Sequence, residues 1–290
     1  MKGPYFIIGA PRSGTNMLRD VLVDSGIFVT WNCDEIDLVW RQGYYTRKDD
    51  VMTTGDFKKR IADKIVAKFR RLNRNNPGKL ILEKTCANSL RIDYIRSIFP
   101  DAKFIFIHRE IKDVVPSVVK KREKSFDWRY SFRKVYFSPV STLALHLLQV
   151  FAKQLGIAKS NNLWGPRVPE LVEGSNTKSP VEIAIIQWSY CMQSALLSLK
   201  KLDESSFKVI QYEKFVVDPA TYLRDIASWS QSNLLKVDID RSTRKVFRSS
   251  VGKSQNYWEN EGNNDFDLMK REKSKVVKLI ESAVSSNESE

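Results

Sequence analysis

"FIIGAPRSGTNMLRDVL" fills residues 6–22. The apolar run Phe6-Ile7-Ile8 stops at Gly9, and Pro11, Arg12, Ser13, Gly14 and Thr15 follow before a helical pattern begins. So short an apolar run, closed by glycine, predicts a buried parallel strand over 4–9. Met17, Leu18, Val21 and Leu22 then recur on one face of a helix over 14–25. Strand, glycine-bearing turn and helix bring backbone N–H groups and a helix N-terminus onto one point, which is an anion-binding layout. The turn adds a guanidinium and two hydroxyls. A phosphate, or a group of that shape, fits it.

Outward from this stretch, short apolar runs alternate with amphipathic ones. Residues 57–72 form a basic amphipathic helix with Phe57, Ile61, Ile65 and Phe69 recurring every four residues. "KLILEK" (79–84) is a second strand. "NSLRIDYIRSIFP" (88–100) is a helix with Asn88 or Ser89 as N-cap and Pro100 as stop. "KFIFIHR" (103–109) is a third strand and 112–122 a further helix; a long helix over 181–202, the strand "FKVIQY" (207–212) and a helix over 218–230 complete the rhythm. This alternation predicts an α/β fold, a P-loop-type parallel sheet flanked by helices. Residues 125–178, with scattered aromatics and "NNLWGPRVPE" (161–170), interrupt it and read as an irregular or helical insertion over the sheet's carboxyl edge. No linker divides the 290 residues, so one domain is expected over 1–290, with a frayed tail at about 285–290.

Charge and cysteine content narrow the function. Lys and Arg outnumber Asp and Glu by 48 to 34, a net +14 that favours anionic ligands or acidic substrates. Cys33, Cys86 and Cys191 are too scattered for a metal-ligand pair or a disulfide framework, which fits a reducing compartment. With only His108 and His146, zinc chemistry has almost no ligands, and no apolar run reaches the roughly 18 residues of a membrane span. A cytoplasmic protein without stable membrane insertion is expected. The aromatics show no sheet-face stacking motif of the RNA-binding type, so no nucleic-acid partner is expected either.

Gly9 to Gly14 has the spacing of a P-loop, but that motif needs Lys directly after the second Gly, and Thr15 stands there. The cation is inside the loop instead, as Arg12. The neighbouring strands end in Glu83-Lys84 and His108-Arg109, which place positive charge where an ATPase would hold Mg²⁺. Metal-assisted phosphoryl transfer is disfavoured, and no metal is implied.

"GAPRSGTNMLRDVL" resembles the 5′-phosphosulfate loop of sulfotransferases that use 3′-phosphoadenosine 5′-phosphosulfate (PAPS), in their Golgi and bacterial branches. "FPDAKFIFIHREIKDVVPSVVKK" (99–121) resembles the same family's 3′-phosphate block, in which an Arg ends a strand and a Ser follows eight residues later; here those are Arg109 and Ser117. An Arg fork at a strand end can hold a phosphate bidentately. "KVIQYEKFVVDPATYLRDIASW" (208–229) is similar to the family's late strand, which puts Tyr212 beside the nucleotide or simply in the core. "RSSVGKSQNYW" (248–258) resembles the basic loop closing over the adenosine and offers Ser249, Ser250 and Lys253. The resemblance implies PAPS as co-substrate, with Arg12, Ser13, Gly14, Thr15 and Asn16 at the 5′ end.

Sulfuryl transfer to a hydroxyl asks for a base, for cations on the transferring group and for a stabilised leaving phosphate. His108 reads as a packing residue. "DSGIFVTWNCDEIDLVWR" (24–41) puts Asp34-Glu35 where tyrosylprotein and heparan sulfate sulfotransferases carry a catalytic Glu, and Glu35 aligns best. Burial beside Trp31 and Trp40 is the expected means of raising its pKa. "LEKT" (82–85) resembles the family's EKTP-like segment, so Lys84 is expected on the sulfuryl group, with Cys86 in place of the usual Pro. Glu83 is the fallback base, ranked second because strand alternation sends it to the face opposite Lys84. Trp164 and Arg167 are candidates for the acceptor, although Arg167 can equally be a structural tie. The acceptor is expected to be a saccharide or another acidic molecule, with peptide tyrosine or a small alcohol as possibilities. Two other readings stay open: a P-loop kinase or nucleotide hydrolase, and a non-enzymatic polyanion binder.

Overall fold

Tyr5–Ile8 form β1, every residue of it buried, at the middle of a five-stranded sheet. The computed structural model describes residues 3–123, 164–232, 238–244, 246, 254–259 and 263–284. After β1 come α1 (Thr15–Asp24), a two-residue β2 (Phe28–Val29), the short α2 (Asp37–Trp40), α3 (Lys59–Asn75) and β3 (Leu80–Lys84). Next are α4 (Ile92–Ile98), β4 (Lys103–His108) and α5 (Ile111–Glu123). Beyond residue 163 lie α6 (Pro169–Gly174), α7 (Pro180–Leu199), β5 (Phe207–Gln211), α8 (Tyr212–Phe215) and α9 (Pro219–Trp229). The chain closes with α10 (Ile239–Thr243), α11 (Gln255–Glu259) and α12 (Asn263–Val284).

The strand order is β2-β3-β1-β4-β5, and each pairing is parallel. Strand alternation splits the core. Phe6, Ile8, Phe104 and Phe106 pack on one face with α3, α4, α5 and α7, while Tyr5, Ile7, Ile105 and Ile107 pack on the other with α1 and α9. Both faces are covered, which is why these strands read as continuous apolar runs. β1 lies between β3 and β4: its own connection runs to β2 on one side, and the connection from β3 crosses to β4 on the other, so the crevice beyond its carboxyl end is a topological switch point.

Several boundaries differ from the sequence reading. Residues 86–90 form a 3-10 turn and α4 starts only at Ile92, because Asn88 and Ser89 spend their side chains on tertiary partners rather than on a cap. Asn88 donates to Glu83 at 2.6 Å, and Ser89 bonds both the N–H and the carbonyl of Gly9 (3.2 and 3.1 Å). Phe57 is exposed ahead of α3, whose buried face is Ala62, Ile65 and Phe69. The expected helix over 181–202 is α7, begun by a Ser179–Glu182 capping box with Pro180 in the first turn. α12 was not foreseen. It lies along α7 and ties to it through Ser189 and Glu272 (2.6 Å). Residues 124–163 and the 285–290 tail are outside the described residues; in the described part of the expected insertion, Trp164 lines a cavity at the sheet's carboxyl edge, while Val168 and Leu171 are buried in the core.

Candidate active site

The turn after β1 reverses the chain in the left-handed region, with Arg12 at φ 68° and Gly14 at φ 93°. At Gly14 two demands coincide. A Cβ there would be strained, and it would lie 2.3 Å from Cδ2 of Tyr212, whose ring covers the loop. Gly14, Thr15 and Asn16 then present the N-terminus of the ten-residue α1 to a cavity of about 870 Å³. Ser13 departs from expectation: its side chain is fully buried outside the cavity wall, and its N–H is spent on the carbonyl of Ala10 at 3.2 Å.

The second basic block meets this loop. Arg12 donates from Nε to Ser117 Oγ at 2.9 Å across 105 positions of sequence, and Arg109 donates from Nη1 to the Arg12 carbonyl at 3.3 Å. Arg109 is buried, with its guanidinium carbon 4.5 Å from the centroid of the Tyr212 ring. Arg12, Lys84, Arg109 and Lys120 all line the one cavity, with Ser117 and Tyr212 between them. Lys120 escaped the sequence reading, although it sits three residues after Ser117 on the same helix face. So did Asp113, Ser254 and Tyr257. Ser254 donates to the Asp113 carboxylate, and Trp258 Nε1 to the Lys112 carbonyl at 2.9 Å, so α11 docks on α5 at the cavity's edge. Ser249, Ser250 and Lys253 lie outside the described residues.

On the opposite wall the acidic pair is split by its partners. Asp34 accepts from Arg19 at 2.6 Å and from Asn16 at 3.4 Å, and stays below the usual carboxylate pKa because Lys84, Arg19 and Asn16 together outweigh its burial. Glu35 accepts at Oε1 from Lys84 Nζ (3.2 Å) and from the Cys86 N–H (3.3 Å). Trp31 and Trp40, the expected flanks of Glu35, pack instead against Phe69. Burial alone would lower the Lys84 pKa, but the carboxylates of Glu35 and Asp34 hold it above the ordinary lysine value, so the ammonium keeps its charge. Cys86 lines the cavity as a neutral thiol, pushed up to about 12 by burial and by Glu35.

Glu83 takes no part in the wall. Its carboxyl is fully buried beneath the loop, accepting from Thr85 Oγ1 at 2.5 Å and Asn88 Nδ2 at 2.6 Å. Thr85 Oγ1 in turn accepts the Ile36 N–H at 3.2 Å, so Glu83 holds, through Thr85, the residue next to Glu35. As a fallback base Glu83 is misplaced; it is a support. His108, stacked on Phe106 and held by burial below its usual pKa, is a packing residue as expected.

Trp164 and Arg167 separate in the same way. Trp164 lines the cavity, and Gln187 pins its backbone by donating to the carbonyls of Trp164 (2.9 Å) and Pro166 (2.7 Å). Arg167 turns away from the cavity to Asp50, with Nη2 to Oδ1 at 2.6 Å and its N–H to Oδ2 at 2.8 Å. Arg41 and Arg91 reach the same carboxylate. Arg167 is therefore the structural tie.

A parallel sheet with cationic loops at its switch point opens on a pocket within the roughly 300–1,000 Å³ typical of small-ligand sites, which is an α/β architecture with a basic cleft. The chain belongs to the sulfotransferase family, whose sequence profile matches residues 4–156. No curated protein matches it by sequence. Among solved structures the fold is similar to the sulfotransferase domain of the curacin biosynthetic pathway (14% identity, 93% of this chain and 97% of that one, TM-score 0.53). It is similar also to the sulfotransferase domain of the Synechococcus PCC 7002 olefin synthase (15%, 97% and 95%, 0.52) and to a sulfotransferase from Alicyclobacillus acidocaldarius (14%, 98% and 96%, 0.52). At such identities the likeness is one of fold. Among the described residues no helix is long and apolar enough to cross a membrane.

Proposed function

We propose that this sulfotransferase takes its sulfuryl group from PAPS and delivers it to an acceptor hydroxyl, a saccharide being the favoured acceptor, in the reducing environment of the cytoplasm. The observation that carries the donor assignment is the contact of the two basic blocks in one cavity, Arg12 to Ser117 at 2.9 Å with Arg109 beside them. The donor set suits a doubly phosphorylated adenosine: cations from two separate loops, a helix N-terminus and the aromatic face of Tyr212. Arg109 and Ser117 hold the 3′-phosphate; Gly14, Thr15 and Asn16 at the start of α1, with Arg12, hold the 5′ end. PAPS supplies a sulfuryl group on a phosphate leaving group. Glu35 takes the proton of the acceptor hydroxyl at Oε1 as the acceptor O–S bond forms and the S–O bond to the phosphate breaks. Lys84, 3.2 Å from that oxygen, offsets charge on the transferring oxygens, and the α1 N-terminus with Arg12 stabilises the departing phosphate. Trp164, half-buried in the wall, offers a flat apolar face to a sugar ring.

Calorimetry with 3′-phosphoadenosine 5′-phosphate, and with ATP in the presence and absence of Mg²⁺, tests the donor. Tight binding of the former without metal, and at least tenfold weaker ATP, is expected. A preference for Mg²⁺–ATP would overturn the reading in favour of a kinase or nucleotide hydrolase.

A further inference from the structure

The loop that carries Glu35 has a second hollow behind it. Asp34 and Glu35 face the large cavity, whereas Trp31, Asn32 and Ile36 line a separate one of about 560 Å³ closed on its far side by α3. Trp31 stands against Phe69, ring centroids 4.7 Å apart, and with Leu72 and Ile36 supplies apolar wall. Lys68 and Arg71, one turn apart on α3, line the same space, while Arg70 and Arg74 of that helix do not. Neither lining cation has an ion-pair partner among the described residues. Lys68 is half-buried, and both that burial and the like charge of Arg71 hold its pKa below the ordinary lysine value. An anion seated between the two would relieve that repulsion. Two cations without an ion-pair partner among the described residues, in a hollow that also carries the Trp31 ring and aliphatic wall, suit a ligand with charge at one end and apolar surface at the other.

We infer that this hollow is a second binding site, for a small molecule with a flat apolar body and one anionic group such as a sulfonate, sulfate or carboxylate. The site is distinct from the donor cavity and does not depend on the PAPS assignment. Its occupant lies against the Trp31–Ile36 loop, whose other side presents Glu35.

Calorimetry with naphthalene-1-sulfonate probes it, with 1-naphthalenemethanol and inorganic sulfate as the halves of that chemistry. One equivalent of the sulfonate should bind, each half at least tenfold more weakly. K68Q/R71Q should weaken the sulfonate at least tenfold while leaving 3′-phosphoadenosine 5′-phosphate within twofold; both positions are outside the buried core, and circular dichroism checks the fold. Unchanged sulfonate affinity in K68Q/R71Q would overturn the proposal, as would competitive displacement of the sulfonate by 3′-phosphoadenosine 5′-phosphate. Failure of that nucleotide to bind at all would count against the donor assignment and leave the Lys68/Arg71 comparison decisive for this site.

Discussion

Glu83→Gln isolates the cost of a buried acid. Glu83 is 1% exposed, and burial raises its pKa from 4.5 to about 7 despite the donors on both its oxygens. A raised folded-state pKa means that the native protein binds the proton more tightly than the unfolded chain does. The stabilisation is therefore complete below about pH 4.5 and is lost as pH climbs through about 7. A shift of that size corresponds to about 3 kcal/mol. Glutamine keeps the shape and an acceptor but cannot ionise; exchanging a neutral acid for an amide costs about 1 kcal/mol, for one altered hydrogen bond. At about pH 5 the two proteins should therefore differ by no more than that, and by about pH 8.5 the variant should have gained about 3 kcal/mol on the wild type. Denaturant unfolding across that range measures the difference, in which titrating groups that do not interact with Glu83 cancel. A gap that stays constant with pH would refute the claim that Glu83 is desolvated rather than simply hydrogen-bonded. Turnover of the same variant should remain within a few-fold of wild type, because Glu83 supports the loop and does not face the cavity.

Glu35→Gln should lower turnover sharply while calorimetry still finds normal binding of 3′-phosphoadenosine 5′-phosphate, and Lys84→Ala should cost something like 10²- to 10³-fold in turnover, the scale of one lost charge-stabilising donor; near-normal rates in both would remove them from the chemistry. Arg109→Ala should weaken the 3′-phosphorylated nucleotide by about 1.5–3 kcal/mol relative to its 3′-dephospho analogue, and equal weakening of both would cancel its role. Gly14→Ala places a methyl 2.3 Å from Tyr212 at φ 93° and should cost about 1–3 kcal/mol in backbone strain alone, so Tyr212→Ala should relieve the clash without restoring full stability in a thermal melt. Asp50→Ala strips the common acceptor from Arg41, Arg91 and Arg167 and should destabilise by about 3–5 kcal/mol; an unchanged melting temperature would mean that the cluster contributes nothing.

The sheet was legible because its strands carry their own signal: Tyr5–Ile8, Leu80–Lys84 and Lys103–His108 hold apolar runs, the first closed by Gly9 and the other two by charged or polar pairs. β2 pairs over only two residues, within the short apolar run Ile27-Phe28-Val29, and so brief a run between two loops does not by itself mark a strand. The α4 boundary was misplaced for a different reason. Asn88 and Ser89 are good capping residues by type, but Glu83 and Gly9 compete for their side chains, and those partners become neighbours only after the sheet forms. The signal for α12 was present: Phe266, Met269 and Val276 recur at helical spacing, and both Met269 and Val276 are buried.

Within the site, what local chemistry determines could be read, and what distant partners determine could not. The anion loop is legible because its turn, glycine and guanidinium are contiguous. Arg167 is not, because its role is settled by Asp50, 117 residues away. Asp34 and Glu35 are nearly equivalent as neighbours in a chain; only Arg19 on α1 and Lys84 on β3 give each carboxylate its own cation. The Glu83–Lys84 pair shows where the two regimes meet. A regular strand sends successive side chains to opposite faces, and the register Phe6↔Glu83, Ile7↔Lys84 keeps that regularity up to the last residue of β3. Alternation alone thus drives the acid into the core and the ammonium into the cavity. The same geometry that disqualifies Glu83 as a base makes it, through Thr85, the anchor of the loop that presents Glu35.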